Sequence, residues 1–297
     1  MKGGGEVIVA NRMTGEPTIK NSKKTKKRMA NLLRQIVFTL IGILVLYPMI
    51  FVLMTSFKTN IDVLKNPFAL SSFHPENYVE AWKIGRIGHY FFNSLIVTLI
   101  TMAIALIITL LGGYAIGKLK PPGYKYITML FLSTMFVTSE MTTIPVFMLI
   151  RDWGLLNTRW GLIIPYAAGM LAFAMFVISR FFENLPKELE ESATIDGCGI
   201  FKTMIYIDIP LIKPIIATNL VMSFQGVWGE FFWALITVQD ESIKTLPLGL
   251  MNFQSQFSTN YGVLSAGLVM LSLPVIMLFI FSSRHFIEGM TMGAVKG

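Results

Sequence analysis

Two carboxylates stand where water is scarce. Glu140 and Glu230 each lie deep in a long apolar stretch. Carboxylates in such positions are costly and usually face a cavity or a partner. Around Glu230 the chain reads Gln225, Trp228, Gly229, Glu230 and Trp233. A sugar ring offers hydroxyl donors to acids and amides, and apolar faces to indole rings. Gln225, Trp228, Glu230 and Trp233 supply both types. Counted at about 1.5 Å per helical residue, Glu140 and Glu230 fall at similar heights. The six residues Glu140, Gln225, Trp228, Gly229, Glu230 and Trp233 are therefore expected to line one solute path. The plainer reading of the tryptophans is interfacial packing, and that of Glu230 is a polar bond to a partner.

The second chemical signal is a charged loop, residues 181–214, with six acids: Glu183, Glu188, Glu190, Glu191, Asp196 and Asp208. Asn184 and Pro186 form a helix-start signal. Good helix formers follow to residue 195. Asp196-Gly197 breaks the run, because Gly takes the left-handed cap conformation freely. Asp196 is also placed to cap the next helix, on which Ile200, Met204 and Ile207 share a face. Pro210 and Pro214 are expected to end that helix. Two short amphipathic helices with a tight turn cannot bury both faces themselves, so the loop suits docking into a cleft on another protein.

Other chemistry is excluded. A single Cys198 forbids a disulfide within the chain and C-x-x-C metal pairs. Three distant histidines (His74, His89, His285) give no zinc site. No G-x-x-x-x-G-K-[ST] loop is present, and no Ser/His/Asp constellation favours an enzyme. This chain is thus expected to bind no cofactor of its own.

The elements that would position these residues are membrane spans. Of 297 residues, 54% are hydrophobic and 14% charged, against roughly a quarter charged in soluble domains. Residues 35–57, 87–117, 160–179 and 245–283 carry no Asp, Glu, Lys or Arg. A membrane helix needs about 20 mostly apolar residues. Spans are expected at 34–56, 91–116, 126–150, 160–180, 213–237 and 262–283. With the N-terminus inside, 18 Lys and Arg fall on the inner side and seven on the outer side. The positive-inside rule therefore predicts an all-α membrane protein with six spans and both termini inside. Residues 1–30 read as a basic, poorly ordered cytoplasmic segment and 31–297 as the membrane domain. The run Lys23, Lys24, Lys26, Lys27 and Arg28 reads as a topology signal facing anionic lipid, so no nucleic-acid partner is expected.

Glu191-Ser192-Ala193, then Asp196-Gly197, Phe201, Ile209-Pro210 and Pro214, resembles the E-A-A-x-x-x-D-G loop of binding-protein-dependent ABC importers. Ser192 stands where Ala is usual, and Cys198 where a small Ala is usual. Phe92-Asn93-Ser94, Pro75-Glu76-Asn77-Tyr78, Ile144-Pro145 and Gly154-Leu155-Leu156-Asn157-Thr158 narrow the likeness. So does the ending from Gly289 to Gly297. These resemble carbohydrate permeases of the type that includes the maltose system's shorter permease. Trp228-Gly229-Glu230-Phe231 is similar to that branch's W-N-[DE]-F pattern, with Gly229 in place of Asn.

The resemblance covers about residues 35–297. It implies a prokaryotic cytoplasmic-membrane permease that works by alternating access. Its implied partners are a second permease, two ATPase subunits that hold ATP and Mg, and an extracellular solute-binding protein. The ATPase-coupling residues would be Glu191, Ser192, Ala193, Asp196, Gly197, Phe201 and Pro210. The alternatives are the same importer for a peptide, amino acid or polyamine, or a channel or transporter acting alone.

Overall fold

The computed structural model describes residues 19–69, 72–83, 86–253 and 259–294, with side chains given between 28 and 282. Its elements are helical. The long α1 (Ile19–Thr55) precedes two short helices, α2 (Asn60–Lys65) and α3 (Glu76–Lys83). Next comes α4 (Ile87–Tyr114), which runs on through a π-helical turn at Ala115–Leu119. Then follow α5 (Tyr124–Thr134), α6 (Ser139–Asp152) and α7 (Trp160–Glu183). The charged loop holds α8 (Lys187–Ile195), α9 (Ile200–Thr203), a second π turn at Met204–Asp208 and α10 (Ile209–Leu211). The chain continues with α11 (Lys213–Trp228), α12 (Phe232–Thr237), α13 (Leu246–Gly249), a 3-10 turn at Leu250–Phe253 and α14 (Tyr261–Ala294).

Two compact units are present, one up to Phe51 and one from Val52 onward. In the first, α1 starts at Ile19, earlier than the expected 34, because Lys and Arg are good helix formers and no proline interrupts before Pro48. The remainder of the basic segment, 1–18, lies outside the described residues, as do residues 295–297 of the C-terminal motif.

Among the described residues, four helical stretches are long and apolar enough to cross a membrane: Arg28–Thr55, Ile87–Leu119, Trp160–Glu183 and Tyr261–Ser282. Two bent helix pairs raise this to six if each counts as one span. The expected single helix at 126–150 is one of them. It is broken between α5 and α6 with a bend of 103°. Ser133 and Thr134 turn their hydroxyls back onto the Leu130 and Phe131 carbonyls, each at 2.7 Å, and Thr138 is extended. Such local side-chain bonds compete with helix continuation. Height counted up a straight helix therefore gives no basis for levelling Glu140 with Glu230.

Within the second unit α4 and α7 run parallel and close together. Gly113 lies against Ile178, and Gly117 against the Ser179 carbonyl and Phe182. A Cβ at Gly117 would collide with that backbone, so glycine sets the helix separation. α11 runs the opposite way and packs on α14. There Trp228 is buried, stacked on Phe224 at 5.3 Å with Phe91 edge-on at 5.3 Å, and its indole N–H donates to the Leu271 carbonyl at 2.9 Å. Lys58, just after α1, is held by the segment that follows it. That lysine is fully buried and donates to the carbonyls of Asn66 and Pro67.

Candidate functional site

The charged loop is a helix-turn-helix. α8 ends in a Schellman turn: the Cys198 N–H bonds the Ala193 carbonyl at 2.9 Å and the Gly197 N–H bonds that of Thr194 at 3.0 Å. Gly197 sits at φ +77° with open space around it, the left-handed conformation its residue type predicted. Two expectations are corrected. Asp196 is the C-cap of α8, and the next helix is capped at Gly199 without a side-chain bond. Asn184 does not start α8; it closes α7, its amide donating to the Arg180 carbonyl at 2.6 Å. Pro210 stands at the end of the second helical run, as its residue type predicted. The helical run Ile200–Leu211 stops one residue past it, the chain turns at Ile212, and Pro214 enters the first turn of α11.

Of the expected coupling residues, Ala193 is buried, and Glu191, Ser192, Asp196, Gly197, Phe201 and Pro210 are exposed. The tip is apolar as well as exposed: Ile195 is 85% accessible and Phe201 69%. Its base is charged and fixed. Lys118, at the end of the first π turn, forms an ion pair with Glu190 and donates to the Leu185 carbonyl at 3.1 Å. Glu183 receives Lys120 at 2.7 Å and Arg180 at 2.8 Å. The Glu183 hydrogen bond holds the Lys120 ammonium above its usual range.

The expected solute-path residues divide. Glu230 occupies a break between α11 and α12 and satisfies the start of α12. Its Oε1 accepts the Trp233 N–H at 2.7 Å and its Oε2 the Ala234 N–H at 3.2 Å. The Tyr166 hydroxyl of α7 donates to the same carboxylate. Broken helices at membrane depth require such partners. Trp228 and Trp233 are core residues, the latter donating its indole N–H to the Gly161 carbonyl at 2.9 Å. Gln225 and Gly229 are exposed on one face of α11, with Met222 and Gly226. Glu140 is exposed in the first turn of α6, and among the described residues no hydrogen bond or ion pair joins it to the Glu230 group.

A protein-family profile described as "Binding-protein-dependent transport system inner membrane component" matches residues 111–290. The chain belongs to this family. Among its relatives is a probable ABC transporter permease of Bacillus subtilis, YurM, 37% identical over 86% of this chain and 85% of that protein. The arabinooligosaccharide permease AraQ of the same organism is 32% identical over 88% and 94%. The diacetylchitobiose uptake permease NgcG of Streptomyces coelicolor is 31% identical over 86% and 85%. In fold, the chain matches the crystal structure of a bacterial ABC transporter that imports alginate, with TM-score 0.79 and 23% identity over 88% of this chain.

In this inner membrane component, a third group of residues had sequence motifs and no assigned role. At the end of the bundle opposite α8, Asn93 donates to the carbonyls of Ser242 and Lys244 at 2.8 and 3.1 Å and accepts from Arg159 at 2.8 Å. Ser94 accepts the Leu246 N–H at 2.7 Å. Asn157, at φ +54°, accepts the N–H groups of Gln239 and Asp240. Tyr90 donates to Glu241. These residues lace the 238–250 loop onto the starts of α4 and α7. The polar pair Asn93-Ser94 opening an apolar helix was the available signal.

Proposed function

We propose that this chain is one permease of an ATP-driven, binding-protein-dependent importer that moves a sugar or oligosaccharide across the cytoplasmic membrane. The observation that carries the reading is the apolar, exposed tip of the α8–α9 turn, held at a fixed angle by Gly197 and by charged bonds at its base. An exposed apolar surface of that shape is suited to insertion into another protein. The chain spans the membrane six times with both termini inside, which puts the turn in the cytoplasm. There an ATPase subunit receives it, and ATP and Mg are held by that subunit.

A second related permease completes the pathway, two ATPase subunits drive it, and an extracellular solute-binding protein delivers the sugar. Support for a sugar comes from the relatives named for arabinooligosaccharides and diacetylchitobiose. Support for the binding protein comes from a related alginate transporter crystallised with its periplasmic protein. The α11 face with Gln225 and Gly229, beside the Glu230 break, is the part of this chain that borders the solute. Trp228 and Trp233 act there through packing.

The test is Gly197→Pro in the reconstituted complex. Proline cannot adopt φ +77°, and its missing N–H removes one bond of the Schellman turn. The expected result is loss of ATP-driven uptake while the membrane helices stay folded by circular dichroism. Uptake equal to the parent complex would refute the docking role of the turn.

A further inference from the structure

The base of the α8 turn holds a carboxylate without a bonded partner. Asp208, on the second π turn, is fully buried, and neither of its carboxylate oxygens has a hydrogen bond of full geometry. The groups that act on it are Glu190 from α8, Lys118 from the first π turn and the Tyr114 hydroxyl of α4. One lysine thus serves two carboxylates. In this conformation its ammonium is ion-paired with Glu190, whose Oε1 also has no hydrogen bond of full geometry, and its side chain is only 6% exposed. A buried charge left without its counter-ion costs several kcal/mol, so the state seen here leaves Asp208 short of a partner.

Space for a different arrangement is present. A cleft of about 470 Å³, lined by Lys118, Lys120, Glu183, Lys187, Glu190 and Glu191 among others, opens beside the pair. Both carboxylates sit on segments of the loop, while the lysine sits on the membrane helix α4.

We propose that Lys118 is a shared counter-ion that exchanges between Glu190 and Asp208 when the α8 turn moves, making these three residues a two-position latch between the turn and α4. In one position Lys118 holds α8. In the other it holds the π turn that leads into α11, so displacement of the turn is passed to two membrane helices. Asp208 and Glu190 are positioning residues; they touch neither solute nor nucleotide. This inference rests on the importer reading above.

The experiment uses the full importer, with its second permease, ATPases and binding protein, in proteoliposomes. Asp208→Asn keeps size and hydrogen-bonding capacity and removes the second station. Glu190→Gln removes the first and leaves Lys118 on Asp208. Each variant is expected to assemble and to move fewer solute molecules per ATP hydrolysed, by roughly fivefold or more, with Asp208→Glu restoring part of the ratio. A solute-per-ATP ratio equal to the parent in both variants overturns the latch, because Asp208 would then be a neutral packing group. Assembly is scored by co-purification; where a variant fails to assemble, spin-label distances between α8 and α4 are followed in the parent importer through the ATP cycle, and distances that do not change overturn the latch equally. Parent vesicles without ATP-driven uptake would instead refute the importer reading.

Discussion

The two ends of the helix bundle are built on opposite principles. At the α8 end the turn exposes Ile195 and Phe201 and is held by ion pairs at Lys118, Lys120 and Glu183. At the other end the 238–250 loop is held mainly by neutral hydrogen bonds from Asn93, Ser94 and Asn157 to backbone groups, beside the smaller Glu241–Lys244 pair. Neutral side-chain-to-backbone bonds are short-ranged and fix one geometry. Ion pairs act over longer distances and tolerate a change of partner. One end is finished by its own chain; the other presents a surface that needs covering and an anchor able to shift.

The largest expected effect comes from removing the charge at the α8 end. Lys118→Met would leave Glu190 and Asp208 facing each other without a cation. Its expected cost is about 3–5 kcal/mol, read as a lower thermal midpoint of the assembled complex and faster hydrogen exchange across α8. If exchange rises equally in the 238–250 loop, the two ends are one cooperative unit and the contrast fails.

Next in size is Asn93→Ala. It strips two donors and one acceptor from a buried site, leaves Lys244 and Arg159 short of partners, and leaves the Ser242 carbonyl with the His89 ring alone. The expected loss is about 2–3 kcal/mol, with faster exchange confined to residues 238–250. Exchange rising in α8 instead would reverse the assignment of the two ends.

The smallest effect is pH-dependent and belongs to the 238–250 loop alone. The Glu241 carboxylate is held below its usual 4.5, first by Lys244 and then by the Tyr90 hydroxyl. A depressed carboxylate adds stability above its unfolded value that is lost as pH falls through its lower folded value. Because Glu241 is half exposed, the contribution is below about 1 kcal/mol. Protection of the amides near Ser242, taken against the intrinsic exchange rate at each pH, should therefore fall as pH drops from about 4.5 through the lower folded value, and Glu241→Gln should abolish that change.

Much of this contrast could be read in the sequence at the α8 end. Gly197 after an amphipathic run has one conformational use there, and the structure gives it that conformation. Local rules of this kind depend on a few consecutive residues. The 103° bend between α5 and α6 was not legible, because residues 126–150 are apolar enough to pass as a straight span and the hydroxyls of Ser133 and Thr134 are ambiguous within a helix.

Glu230 was legible as a lone acid within an apolar stretch. Its capping of α12 was not, because the break at 229–231 depends on Tyr166, far away in sequence. Trp228 and Trp233 illustrate the same limit. Indole rings suit a sugar path and a packed core equally, and only the carbonyls of Leu271 and Gly161 decide where they go. Asp208 looked like one more acid of a charged loop. Its isolation follows from the path of α4, which no local pattern reports.

The π turn at Ala115–Leu119 makes the α8 end sensitive to chain length as well as to residue type. Such a turn is one residue spliced into an α-helix. Since each helical residue rotates the chain by about 100°, the splice swings the following side chains by about that angle relative to α4. Gly113 keeps its place against α7, while Lys118 faces α8. Deleting one residue within this turn would leave the lysine in the protein and aim it elsewhere. Along this stretch the spacing between residues is itself inherited information, and an insertion or deletion here is a more radical change than most substitutions.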